Sequence, residues 1–237
     1  MSTKSRVIVA LDLKEPDEAF ALARDLSDVG VAGFKVNSLL YGSVSVRTLI
    51  ETLASYAEVF VDVKGDDMPQ TVANTVENLA SMGASIITLH ASGGPEMLEA
   101  GVAAFEKYKH AGARGLFGVG ILTSFKDPQC TLTFGADVMT KQIQFMSDVR
   151  AAGLKGMICS PLELSTLPAL WPDGQFITPA IRPAGTELRG QARPGTPEQA
   201  MKSGATLMVV GSPIYAAADP CEALRAINEE AGSALSA

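Results

Sequence analysis

Short, nearly continuous apolar runs alternate along this chain with longer stretches whose apolar residues recur at helical spacing. The runs are Arg6–Leu13, Gly33–Asn37, Val59–Lys64, Ser85–His90, Gly115–Leu122, Gly156–Ser160, Phe176–Ile181 and Leu207–Gly211. Their Val, Ile and Phe content predicts parallel strands buried on both faces. Between them, Pro16–Val29, Val44–Tyr56, Gln70–Met82, Pro95–Tyr108, Lys141–Ala152, Glu163–Leu170, Pro197–Lys202 and Cys221–Ala231 read as helices. Gly30, Gly83, Gly112, Gly153 and Gly204 stand where a helix-closing glycine belongs. Eight strand–helix units with no break in composition predict one closed (β/α)8 barrel, the TIM-barrel architecture, as a single domain over residues 1–237. A doubly wound open sheet is the alternative, but no Gly-x-Gly-x-x-Gly turn follows the first strand to support it.

Bulk properties narrow the function. The chain has 237 residues and a 47% hydrophobic fraction, enough for a large core. No apolar run reaches the roughly 18 residues that span a bilayer, and the N-terminus lacks the features of a signal peptide. A formal net charge of −7 argues against a nucleic-acid partner and for a cytoplasmic protein without a membrane partner. Cys130, Cys159 and Cys221 are odd in number and far apart, so they read as ordinary thiols. His90 and His110 are the only histidines, which argues against a histidine-rich metal site.

The chemistry concentrates at strand ends. Barrel active sites lie at the C-terminal ends of the strands. Those ends carry Asp12 on the first strand, Lys35 on the second, and Asp62 with Lys64 on the third. Alternation on a strand puts Asp62 and Lys64 on the same face. Asp67 follows just past the strand. A structural ion-pair network is the plain reading, but an acid and a base on an inward face are costly to desolvate. Their gathering on three adjacent strands points instead to a site. A lysine among carboxylates keeps its proton and can deliver it to a carbanion. The segment 182–195, polar and rich in Gly and Pro, follows the seventh strand on the same face and reads as a functional loop.

Ala10-Leu11-Asp12, Phe34-Lys35-Val36, Asp62-Val63-Lys64-Gly65-Asp66-Asp67-Met68-Pro69-Gln70-Thr71, His90-Ala91-Ser92-Gly93-Gly94, Leu122-Thr123-Ser124 and Thr178-Pro179-Ala180-Ile181-Arg182-Pro183 together resemble the orotidine 5′-phosphate decarboxylase family over nearly the whole chain. That resemblance implies cofactor- and metal-independent loss of CO₂ from orotidine 5′-phosphate to give UMP. Lys35, Asp62, Lys64 and Asp67 would form the catalytic charged array, with Lys64 protonating C6 of the pyrimidine and Asp62 against the substrate carboxylate. Asp12 and Lys35 would bind the ribose hydroxyls. Asp67 and Thr71 would reach the ribose across a homodimer interface, so that each site needs two chains. Ser124 would meet the pyrimidine edge, Pro179 would be a further substrate-binding residue, and Gln191 would touch the phosphate. Ser212 stands where the family usually carries a phosphate-binding arginine. The backbone N–H groups of Gly211 and Ser212 remain to cradle the phosphate, with Arg189 or Arg193 as compensating cations. A 3-keto-L-gulonate 6-phosphate decarboxylase, which needs a metal, and a non-catalytic nucleotide-binding paralogue are the competing readings.

Overall fold

Strands that are apolar on both faces need helices on one side and one another on the other. The computed structural model, which describes residues 5–183 and 195–234, meets that need by closing the sheet. The strands are β1 (Val7–Ala10), β2 (Gly33–Val36), β3 (Glu58–Gly65), β4 (Ile86–His90), β5 (Gly115–Val119), β6 (Gly156–Ile158), β7 (Gln175–Thr178) and β8 (Leu207–Val210). They pair in parallel in chain order, and β8 returns to β1 through Val7↔Met208, Ile8↔Val209 and Val9↔Val210. This is the (β/α)8 TIM barrel that the run pattern predicts, and the closure removes the open-sheet alternative.

Most predicted runs overshoot the strands at their C-terminal ends. Leu11, Ile121 and Ile181 are fully or almost fully buried yet lie beyond the last strand residue. Burial continues past the regular strands there, because these residues still pack into the larger apolar cluster and Leu11 N still bonds to Lys35 O at 2.9 Å. Apolarity reports burial and not the ladder, so the runs look longer than the strands.

Two apolar layers result. Inside the barrel, Ile8, Ala10, Phe60, Ile86, Phe117, Ile177, Leu207 and Val209 form one cluster. Between sheet and helices, a larger cluster includes Val9, Phe34, Val61, Ile87 and Phe176. Gly156 lets β6 and β7 approach closely: a Cβ there would collide with the backbone of Gln175. At the N-terminal end of β3, Glu58 receives both Nε and Nη2 of Arg114 and lies 3.4 Å from the Ser85 hydroxyl. This paired arginine fork ties the bottom of β3 to the start of β5.

The helices largely follow prediction, with clear caps. Pro16–Ser27 starts with proline, has Asp17 and Glu18 in its first turn and Arg24 in its last, in line with the helix dipole. Ser45 caps Val46–Ala54 by accepting from Thr48 N. All five glycines expected to close helices have positive φ, Gly112 doing so in the turn beyond Tyr108.

Several details differ from the sequence reading, among them a short helix at Ser212–Tyr215 that no pattern announced. The helix expected at Lys141–Ala152 spans Val138–Ala151, capped by Asp137. The helix expected at Glu163–Leu170 is two pieces, a 3₁₀ turn at Glu163–Ser165 and a short helix at Leu167–Leu170. Pro168 forces that division: its ring clashes with the carbonyl four residues back, so it fits only the first turn of a new helix. An unexpected helix, Asp127–Phe134, follows β5. Only Cys130 is buried in it, so no apolar periodicity marks it. Its signals are local: Pro128 at the start, and Gly135 in the left-handed region at the end.

Candidate active site

The mouth at the C-terminal ends of the strands holds a cavity of about 410 Å³. Its apolar floor includes Phe60, Val119, Ile158 and Val209, and its charged wall is Asp12, Lys35, Asp62 and Lys64. The four charges stand in a row across β1, β2 and β3. Lys35 Nζ lies 3.3 Å from Asp12 Oδ1 and 3.7 Å from Asp62 Oδ2. Lys64 Nζ donates to Asp62 Oδ2 at 2.7 Å. Signs alternate along the row, so every charge has an opposite neighbour. The side chains of Lys35 and Asp62 are only 12% and 13% exposed, which strengthens their attraction.

The route by which Lys64 reaches this wall differs from the sequence reading. Simple alternation holds through Asp62 and then breaks. Val61 pairs with Ile87 and Gly65 with Leu89, so β3 uses two more residues than β4 between those pairs. Lys64 takes up the irregularity with φ 48, a left-handed conformation rare for a side-chain-bearing residue. Bulges of this kind re-aim side chains beside active sites. The bulge turns the backbone at Lys64 while its ammonium folds back to Asp62.

Two residues without an assigned role support Asp62. Thr88 Oγ1 donates to Asp62 Oδ1 at 2.9 Å and accepts from Lys64 N at 3.0 Å. Asn37 Nδ2 donates to the Asp62 carbonyl at 2.7 Å. Thr88 had a readable signal: it is a polar residue inside the apolar run Ile86-Ile87-Thr88-Leu89.

Pro179, Gly211 and Ser212 also line the cavity, as expected, together with Ala180, Arg182 and Tyr215. A Cβ on Gly211 would lie 3.6 Å from Asp12 Oδ2, so the β8 end of the wall meets the β1 end. Ala180 holds φ 63, the second such residue at the mouth. Ser124 is exposed and outside the lining; Leu122 and Thr123 take that stretch of wall, because the turn closed by Phe125 N→Leu122 O carries Ser124 outward. Asp67 and Thr71 are exposed and do not line the cavity of their own chain. Asp67 Oδ1 instead accepts from Met68 N at 2.6 Å, at the start of the helix Pro69–Ser81. Gln191, Arg189 and Arg193 lie outside the described residues. The stems of that segment do meet, through the bridge Ile181↔Gly195.

Behind Lys64 sits a second polar group. The Ser92 hydroxyl lies 2.8 Å from Asp66 Oδ2 and 2.6 Å from His90 Nδ1. Burial holds the His90 imidazole below the usual histidine range; Asp66 opposes that effect and Lys64 adds to it.

A closed parallel barrel with a row of alternating charges at its mouth defines a class, the (β/α)8 proteins with a charged cavity at the C-terminal ends of their strands. Comparison with known proteins narrows the class. Residues 5–227 match the Orotidine 5′-phosphate decarboxylase / HUMPS family. Orotidine 5′-phosphate decarboxylase of Actinobacillus succinogenes is 37% identical over 226 residues, covering 94% of this chain and 97% of that one. The protein of the same name from Pseudomonas entomophila is 37% identical over 227 residues, covering 94% and 96%. The crystal structure of orotidine 5′-phosphate decarboxylase from Lactobacillus acidophilus superposes with a TM-score of 0.81 at 31% identity, covering 96% of this chain and 99% of that chain. The chain belongs to the orotidine 5′-phosphate decarboxylase / HUMPS family.

His90 generates a pH prediction. Its lowered folded value means the folded chain binds fewer protons than the unfolded chain just below neutrality. Stability should therefore decline as pH falls below about 6.5, until the folded histidine also titrates. Urea denaturation of His90→Gln should show a smaller decline between about pH 7.5 and 5.5 than the parent chain.

Proposed function

We propose that this chain converts orotidine 5′-phosphate to UMP and CO₂ without metal or cofactor, in the cytoplasm, as part of pyrimidine synthesis. The observation that carries the reading is the row Asp12–Lys35–Asp62–Lys64 at the cavity wall of a member of this family. Breaking the C6–carboxylate bond releases CO₂ and leaves the electron pair on an sp² carbon. The pyrimidine offers no enolate to spread that charge, so the protein must supply both field and proton. Lys64 stabilises the developing carbanion and transfers its ammonium proton to C6. The neutral amine then regains a proton from solvent. Asp62 lies against the substrate carboxylate and, through its 2.7 Å contact, holds the Lys64 ammonium in place. Asp12 and Lys35 take the ribose hydroxyls.

Asp67 and Thr71, exposed on their own chain, serve the neighbouring chain's ribose in a homodimer with shared sites. At the phosphate end, Gly211 and Ser212 offer backbone N–H groups, and Arg182 lines the cavity from the loop after the adjacent β7. Loops after the seventh and eighth strands often bind phosphate in such barrels. Ser212 lacks the cation implied by the resemblance. One charge-assisted hydrogen bond is worth about 1.5–3 kcal/mol, or roughly ten- to a hundredfold in affinity.

The primary test is loss of pyrimidine absorbance on incubation with orotidine 5′-phosphate. Lys64→Ala should abolish turnover while UMP still binds in calorimetry; undiminished turnover would remove Lys64 from the mechanism. Ser212→Arg should lower KM for the phosphorylated substrate at least several-fold, and unchanged KM and kcat/KM would show that no phosphate charge is missing. Shared sites predict complementation: mixing Lys64→Ala with Asp67→Ala should restore about a quarter of parental activity, because half of the dimers are hybrids with one intact site each. A mixture as inactive as its components would mean that Asp67 serves its own chain.

A further inference from the structure

Asp62 has two carboxylate oxygens, and the candidate mechanism needs only one of them, Oδ2, turned toward the lysines. Something must fix the rotation of the carboxylate plane so that one oxygen faces the lysines. A carboxylate on a single bond rotates over a broad, nearly two-fold profile. Its backbone is held by Asn37 through the carbonyl. Its Oδ1 is held by the Thr88 hydroxyl at 2.9 Å.

Thr88 is completely buried on β4. A hydroxyl has one proton to donate and lone pairs to accept. Here the proton goes to Asp62 Oδ1, and a lone pair receives the Lys64 backbone N–H at 3.0 Å. One oxygen atom therefore contacts both members of the pair that faces the substrate. It does so where the β3–β4 ladder is interrupted, giving the Lys64 N–H an acceptor within the irregular stretch. The N–H it satisfies belongs to the residue held at φ 48.

We infer that Thr88 is a positioning residue for the reaction: through a single hydroxyl it sets the rotation of the Asp62 carboxylate and the backbone turn that brings the Lys64 ammonium to Asp62 Oδ2. This rests on the decarboxylase reading of the site. Thr88 does not itself line the cavity, so its effect passes through those two residues.

Thr88→Val keeps the side-chain shape and removes both hydrogen bonds. Thr88→Ser keeps the hydroxyl and removes the methyl group. The expected result for Thr88→Val is a fall in kcat of roughly tenfold or more, the scale of one lost hydrogen bond to a charged group. UMP affinity should stay within about threefold, because ribose and phosphate contacts lie elsewhere, and Thr88→Ser should recover most of the rate. A double-mutant cycle separates positioning from general weakening. On an Asp62→Asn background, Thr88→Val should cost less than about threefold further, since the charged partner is already gone.

Three outcomes overturn the inference while leaving the decarboxylase reading intact: an unchanged kcat in Thr88→Val, an equal loss on both backgrounds, or loss of UMP binding in parallel with kcat. A parental chain that neither decarboxylates orotidine 5′-phosphate nor binds UMP overturns the decarboxylase reading and this role with it. Thermal denaturation of Thr88→Ser and Thr88→Val alongside the kinetics shows that the folded variants are being compared.

Discussion

A carboxylate held between two ammonium groups at the edge of an apolar barrel is the constraint on which the site depends. Removing Asp62 and Lys35 from water is costly, and well-packed apolar residues would serve stability as well or better. Their mutual attraction offsets the cost only if the geometry is good. The rest of the mouth follows from that demand. β1, β2 and β3 must be neighbours so that Asp12, Lys35 and Asp62 align. The sheet must close so that Gly211 at the end of β8 can abut Asp12. β3 must depart from a regular pleat so that Lys64 reaches the row.

β3 divides its duties along its length. At its lower end, Glu58 and the guanidinium of Arg114 make a paired contact outside the cavity lining. In its middle, Phe60 and Val61 fill opposite apolar layers. At its upper end the same strand carries Asp62 and Lys64. The paired contact and the charged row at the mouth are thus separated by a few residues on one element. Barrels permit this because the two ends of a strand face different environments.

Much of this was legible in the sequence. Eight apolar runs announced eight strands, and charged residues at their ends announced the mouth, because a charge in a buried strand is conspicuous. Asp12, Lys35, Asp62 and Lys64 were found that way. What lay hidden depended on details that periodicity does not encode. Alternation suggested that Asp62 and Lys64 share a face, whereas a bulge and a folded-back side chain bring them together. Thr88 stood out as a polar residue inside an apolar run, but its two hydrogen bonds across strands are not encoded in that pattern. The helix Asp127–Phe134 buries too little to show a stripe. Ser124 belongs to a turn whose direction is set by a single backbone bond. Asp67 and Thr71 do not line the cavity of their own chain, so their proposed roles depend on a second copy.

The irregular end of β3 also acts as a length gauge. The two additional residues between its pairings with β4 make the ladder locally worse. Deleting one residue, for instance at Val63, would bring that stretch closer to a regular pleat, yet it would send the next side chains to different faces. A strand optimised for pairing and a strand optimised for this mouth are therefore different sequences. Design methods that reward regular geometry would favour the repair, and with it an idle barrel.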